Sequence, residues 1–168
     1  MDRAITDLPR PVAIAIGSNL GDRRAALQFA IDRLSSLLTG LTASTIIETD
    51  PESVDGDVLP DQPVYLNAVV SGSTTLDGRT LLEQLLAIER DYGRERPFAG
   101  APRTLDLDLI LLGNDIIEEP GLHVPHPRFR DRFFVLGPLA EIAPALVDPV
   151  TGLRVGELLV RLLRDERR

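Results

Sequence analysis

Two aspartates interrupt an otherwise apolar run at residues 105–112, LDLDLILL. The run reads as a β-strand, and strand side chains alternate faces with about 3.3 Å of rise per residue. Asp106 and Asp108 therefore share one face, and Leu107, Leu109 and Leu111 share the other. Ile110 and Leu112 have the parity of the aspartates, so the acidic face is expected to be at least partly covered. Two like charges side by side on a buried strand are costly unless a cation neutralises them. Paired hard oxygen ligands suit Mg²⁺, which often binds through one or two carboxylates plus substrate phosphates. Arg103 lies just upstream, where a guanidinium fork can meet phosphate oxygens bidentately. The pattern fits phosphoryl-type transfer, which depends on positioning and charge stabilisation.

The rest of the chain sets the frame for that strand. Its 168 residues suffice for one domain with its own core, read as a single unit over 1–168 with 1–10 as a flexible tail. With 43% hydrophobic and 26% charged residues, neither disorder nor a membrane protein is indicated. A formal net charge of −8 argues against nucleic-acid binding and against attachment to an anionic membrane. The arginines are nevertheless bunched: Arg90, Arg94, Arg96 and Arg103 in one segment, Arg128, Arg130 and Arg132 in another. Local basicity in an acidic chain suits a small anionic ligand. The absence of cysteine excludes disulfides, thiolate metal sites and thiol nucleophiles, and agrees with a cytoplasmic protein.

Periodicity predicts a strand at Pro11–Ser18, a helix over Asp22–Leu38, a strand at Thr42–Thr49, and another at Tyr65–Thr74. A helix over Asp77–Tyr92 follows, with Thr80 and Glu83 resembling a capping box. After the aspartate strand come a short strand at Ile116–Glu118 and an irregular stretch at His123–Pro127. Helical pieces are expected at Arg130–Leu136, Leu139–Ala143 and Val155–Arg164. The order β-α-β-β-α-β predicts an α+β fold: a ferredoxin-like sandwich, mostly antiparallel, with helices packed on one side and C-terminal helical additions. The acidic Asp50–Pro63 and basic Gly93–Pro102 segments are long enough to read as binding loops.

Four segments together, GAPRTLDLDLI, AIGSNLGDR, DQPVYLNAVV and VPHPRFRDRFFVLGPL, closely resemble the 6-hydroxymethyl-7,8-dihydropterin pyrophosphokinase family. The resemblance spans roughly residues 12–147. It implies transfer of pyrophosphate from ATP to the hydroxymethyl group of the pterin in folate biosynthesis, leaving AMP, with two Mg²⁺ ions. Matching positions imply that Asp106 and Asp108 hold the metals and that Arg94 and Arg103 engage the phosphates. Glu89, Arg96, the Leu109 backbone, His126 and Arg132 fall on the ATP side. Thr49, Tyr65, Asn67 and Phe134 fall on the pterin side, Phe134 as a stacking face and Asn67 as a reader of the pyrimidinone edge. The resemblance further implies a monomer acting on small molecules, with no nucleic acid or membrane as partner. The loop before Arg103 lacks the family's usual tryptophan, and either Phe98 or Gly100 stands in its place. Leu86, Gly121, His123 and Pro127 also depart from the pattern. A ligand-sensing module and a nucleotide-sugar transferase are the competing readings.

Overall fold

The computed structural model describes residues 5–50, 64–93 and 105–167. Strand β1 (Ile5–Ser18) leads to helix α1 (Arg23–Leu34), strands β2 (Thr39–Ala43), β3 (Ile47–Thr49) and β4 (Tyr65–Leu76), helix α2 (Gly78–Gly93) and strand β5 (Asp106–Leu112). A hairpin of β6 (Ile117–Glu119) and β7 (Leu122–Val124), a 3-10 turn at Phe129–Asp131, and helices α3 (Phe133–Ile142) and α4 (Val155–Glu166) complete the chain. The main sheet runs β2-β4-β1-β5, with β3 also on β4, and every pairing is antiparallel. The fold is thus a mixed α and β structure on an antiparallel sheet. No described helix is long and apolar enough to cross a membrane.

The alternation along β1 decides how the layers stack. Val12, Ile14 and Ile16 point into a core with Ala26, Leu27, Ala30 and Leu34 of α1 and Leu81, Leu85 and Ile88 of α2. The intervening Ala13 lies in a second core with Val69, Phe129 and residues of α3 and α4. Helices therefore cover both sheet faces, not one. The C-terminal additions form the second layer because Val135, Leu136 and Leu139 make an apolar stripe that must find a partner.

Several expectations are corrected. The first strand begins at Ile5, so residues 5–10 are strand and not a tail; Ile5 pairs with Leu76 and Arg10 with Thr74. Helix α1 ends at Leu34, with Asp22 as its N-cap accepting from the Ala25 N–H at 3.1 Å. The cap of α2 is Asp77, whose carboxylate accepts from the Thr80 N–H at 2.8 Å, and not a Thr80–Glu83 box. Helix α3 runs unbroken through Pro138, merging two expected pieces. Burial of Pro138 and its neighbours against the sheet offsets the lost backbone donor. Part of the irregular stretch at His123–Pro127 is β7, paired with β6. The expected loops fall almost wholly outside the described residues.

A register shift in β5 changes the face assignment of its leucines. Ala13 pairs with Leu111 but Ile14 with Leu109, so Ile110 is an extra residue in the ladder. Such a bulge inverts the alternation beyond it. Leu107, Leu109 and Leu112 enter the α1/α2 core, while Ile110 and Leu111 join the α3/α4 core on the aspartate side.

The 3-10 turn is fastened by a buried ion pair. Arg130 donates to Asp148 through Nε at 2.6 Å and Nη2 at 2.8 Å. Asp148 is fully buried and also accepts from the Thr151 hydroxyl at 2.7 Å and the Val150 N–H at 3.1 Å. Burial opposes its ionisation, but those hydrogen bonds and the Arg130 charge outweigh it and hold the carboxyl below the usual range. A depressed carboxylate contributes stability above its unfolded pKa of about 3.9, and that stability is lost as pH falls through the folded value. Asp148→Ala, which strands the guanidinium, is expected to cost about 3 kcal/mol at pH 7 by urea denaturation. The variant's acid limb should also be flatter than that of the parent protein.

Candidate active site

The cleft forms where β1 runs out of large side chains. On the α3 side of the sheet β1 presents Ala13, Ala15 and Gly17. Gly17 pairs with Asn67 of β4 on one side and Asp106 of β5 on the other, and Ala15 pairs with Val69 and Asp108. Asn67 and the acidic pair therefore face one another across a floor that carries almost no side chain. A Cβ at Gly17 would lie 3.3 Å from Asn67 Oδ1 and 3.9 Å from Tyr65 Cδ1. The resulting cleft of about 370 Å³ is lined by Thr49, Asp50, Tyr65, Asn67, Asp106, Asp108, Ile110, His126, Arg128, Arg132, Phe134 and Val135 above that floor.

Eight of the residues expected at a site thus meet in one cleft: Thr49, Tyr65, Asn67, Asp106, Asp108, His126, Arg132 and Phe134. Arg94, Arg96 and Arg103, together with Phe98 and Gly100, lie outside the described residues. Glu89 and Leu109 are not lining residues: Leu109 points into the α1/α2 core, and Glu89 accepts from the Leu107 N–H at 2.7 Å.

On the β4 side the polar groups hold one another. Asn67 is buried and donates through Nδ2 to the Thr49 hydroxyl at 2.7 Å, which fixes the amide with its Oδ1 toward Gly17. Burial raises the Tyr65 hydroxyl above its ordinary range, and Asp106 adds to the shift. The start of β4 is held by Arg23, which donates to the Val64 carbonyl at 2.6 Å.

On the opposite wall, the 3-10 turn sorts three arginines. Phe129 is fully buried and Arg130 turns to Asp148, which leaves Arg128 and Arg132 in the cleft. Arg132 lies over the Phe134 ring, 5.5 Å from its centroid, a cation–π arrangement. His126 follows a cis Val124–Pro125 peptide, and its Nδ1 accepts from the Arg128 N–H at 3.1 Å. In the neutral ring the proton then sits on Nε2, free to donate. Burial is the main reason its pKa is lowered; Arg132, Arg128 and His123 push the same way, and Asp108 opposes them. The His126 N–H donates to the Ile110 carbonyl at 2.9 Å, tying this segment to the bulge of β5.

Comparison with known proteins decides the family. The model of the 7,8-dihydro-6-hydroxymethylpterin-pyrophosphokinase family matches residues 13–144. The chain belongs to that family. A 2-amino-4-hydroxy-6-hydroxymethyldihydropteridine pyrophosphokinase of Bacillus subtilis is 39% identical over 155 residues, covering 91% of this chain and 90% of the relative. The Synechocystis protein of the same name is 40% identical over 92% of this chain and 78% of its own length. The folic acid synthesis protein fol1 of Pneumocystis carinii is 37% identical over 90% of this chain, which spans only 20% of that protein. Among solved structures, Plasmodium falciparum HPPK-DHPS aligns with a TM-score of 0.73 at 13% identity, over 94% of this chain and 45% of that one. At that identity the match speaks for the fold.

Within this pyrophosphokinase frame, sequence reasoning missed Arg128, Asp50 and the floor residue Ala15. The turn at Gly17–Gly21 reads from sequence as lining the pterin side, and Gly17 does line the cleft. Arg128 was visible as one of a cluster of three, but only the turn geometry separates it from Arg130. Gly17 had a signal in the alternation of PVAIAIGS, large on one face and small on the other. Gly17→Ala is expected to displace the Asn67 amide and raise KM for the flat-ring substrate about tenfold, with kcat changed less. Steady-state kinetics with each substrate varied in turn measures the split.

Proposed function

We propose that this cleft carries out its family's reaction as an Mg²⁺-dependent pyrophosphokinase. The reaction transfers pyrophosphate from ATP to 6-hydroxymethyl-7,8-dihydropterin, giving the pterin diphosphate and AMP, in folate biosynthesis. The carrying observation is the placement of Asp106 and Asp108 directly across the Ala15–Gly17 floor from Asn67 and Tyr65. An alcohol bound on the β4 side and a triphosphate bound beneath the arginine wall would meet at the aspartates.

Asp106 and Asp108 fit a hard divalent cation. They offer paired oxygen ligands on one strand face, one half-buried and one exposed. Among the described residues no group of three or more His, Cys, Asp or Glu side chains gathers to hold a metal. A two-carboxylate site relies on substrate oxygens for its remaining ligands, which is the habit of Mg²⁺ at phosphates. Bound there, two Mg²⁺ ions would neutralise the phosphates and polarise the transferred group.

The chain's own groups then divide the work. His126 offers an Nε2–H, and Arg128 and Arg132 offer guanidinium forks to the ATP phosphates. Arg94, Arg96 and Arg103 are assigned to the same phosphates on the family's pattern, Arg94 and Arg103 as catalytic groups. By the two-residue strand period, the Leu109 amide and carbonyl follow those of Leu107 to the outer edge of β5, where an adenine edge could be read. Thr49, Tyr65 and Asn67 would hold the pterin's polar edge, and Phe134 would stack on its ring with Arg132 behind.

Two finer readings accompany this one. With β2 and β3 counted as pieces of one strand, the sheet order becomes second, third, first, fourth, which supports the ferredoxin-like plan. On the family's pattern the working unit is read as a monomer, and the absence of cysteine accords with a cytoplasmic setting.

Asp106→Asn and Asp108→Asn are each expected to lower kcat about a thousandfold while leaving stability unchanged or improved, since a charge clash is relieved. Chromatographic detection of AMP formed from ATP, the pterin and Mg²⁺ tests the reaction. Near-normal turnover in either variant would refute the metal assignment. Arg103→Ala should lower kcat by about two orders of magnitude or more with little change in pterin affinity. Single-turnover kinetics beside equilibrium pterin binding separates the two effects.

A further inference from the structure

Among the described residues, strand β5 is an edge of the main sheet, with β1 as its one strand partner. Its outer backbone groups need other partners or water. Two are provided within the stretch that carries the aspartates. The Glu89 carboxylate of α2 accepts from the Leu107 N–H at 2.7 Å, and the Ile110 carbonyl accepts from the His126 N–H at 2.9 Å. Leu107 stands between Asp106 and Asp108, with its side chain buried in the α1/α2 core. The peptide units joining the two aspartates are therefore gripped from both edges: by β1 within the sheet and by a carboxylate from the helix outside it.

We infer that Glu89 is a positioning residue for the metal-binding pair: by holding the Leu107 N–H it sets the pitch of the backbone from which Asp106 and Asp108 project. A charged acceptor suits this task, because bonds from a backbone N–H to a carboxylate are shorter and stronger than neutral ones. Ligand orientation by partners behind the ligands commonly governs metal affinity. The inference rests on the reading of Asp106 and Asp108 as metal ligands. It differs from the direct nucleotide contact that the family resemblance implies for Glu89.

The test uses the full chain with Glu89→Ala, Glu89→Gln and, as a control, Asp108→Asn. Hydrogen exchange at the Leu107 amide, read by NMR on the protein without ligand, is expected to speed up about tenfold in Glu89→Ala. Glu89→Gln, whose amide oxygen still accepts, should stay close to the parent protein. The Mg²⁺ concentration for half-maximal velocity at saturating ATP should rise about tenfold or more in Glu89→Ala and recover in Glu89→Gln. KM for ATP at saturating Mg²⁺ should change little. An unchanged Leu107 exchange rate, or a raised KM for ATP with unaltered Mg²⁺ dependence, overturns the inference in favour of nucleotide contact. If Glu89→Ala fails to fold, an unshifted Mg²⁺ dependence in the shortened Glu89→Asp overturns it as well. Failure of the metal reading itself has a separate signature: Asp108→Asn would then share the parent protein's Mg²⁺ dependence.

Discussion

Everything in the cleft depends on β1 being large on one face and small on the other. Val12, Ile14 and Ile16 fill the core beneath α1 and α2, and Ala13, Ala15 and Gly17 leave the opposite face low. A central strand must pair on both edges, so it brings β4 and β5 within one strand spacing, about 4.8 Å, on either side. Because its own side chains there are small, groups on the two neighbours meet over it. Asn67 and Asp106 belong to one cross-strand row, and Val69 and Asp108 to the next but one. The same small face lets the α3/α4 layer close at Ala13 while the cleft stays open at Gly17.

Much of this was legible in the sequence, and the reasons are local. The aspartate pair announces itself because strand alternation is insensitive to context over three residues. The start of α1 is legible to within one residue: the helix is expected from Asp22, and Asp22 caps it. What was not legible depends on distant partners. The bulge at Ile110 sends two consecutive residues, Ile110 and Leu111, into the same core, and no local pattern records that break in alternation. Two helical pieces are expected on either side of Pro138, yet one helix runs through it, because packing of the buried Pro138 outweighs its missing donor. Phe133 is 46% exposed and Phe134 lines the cleft, because α3 presents its first turn to the site. The arginine run at 128–132 was plainly basic, but which members face a ligand is fixed by Asp148, a buried carboxylate eighteen residues from Arg130.

That last dependence joins stability to function. Arg130 and Asp148 contribute nothing to the cleft surface, but the turn they fasten carries Arg128 and Arg132 on either side. Phe129, fully buried with the Arg130 guanidinium 4.8 Å above its ring, completes the anchor. A buried pair of this kind is a weak source of net stability and a strong source of geometric definition. Here it turns two neighbouring guanidiniums toward one side, which a hydrophobic contact of equal size would not dictate.

Electrostatics explains why an acidic chain can present an anion site at all. Among the described lining residues, the carboxylates of Asp50, Asp106 and Asp108 face the guanidiniums of Arg128 and Arg132, with His126 held toward its neutral form. Taken alone, these groups give a triphosphate no net attraction. Divalent cations on Asp106 and Asp108 would reverse that balance, turning the acidic half of the cleft into a cationic one beside the arginines. On the proposed reading, metal therefore adds to the attraction that Arg94, Arg96 and Arg103 bring to the phosphates, and the carboxylates act on charge as well as ligands. A cleft built from arginines alone would bind phosphate without the ions that the transfer step needs. The mixed cleft favours ATP together with its metal over the bare nucleotide, because only the complex offsets the repulsion of the strand that holds it.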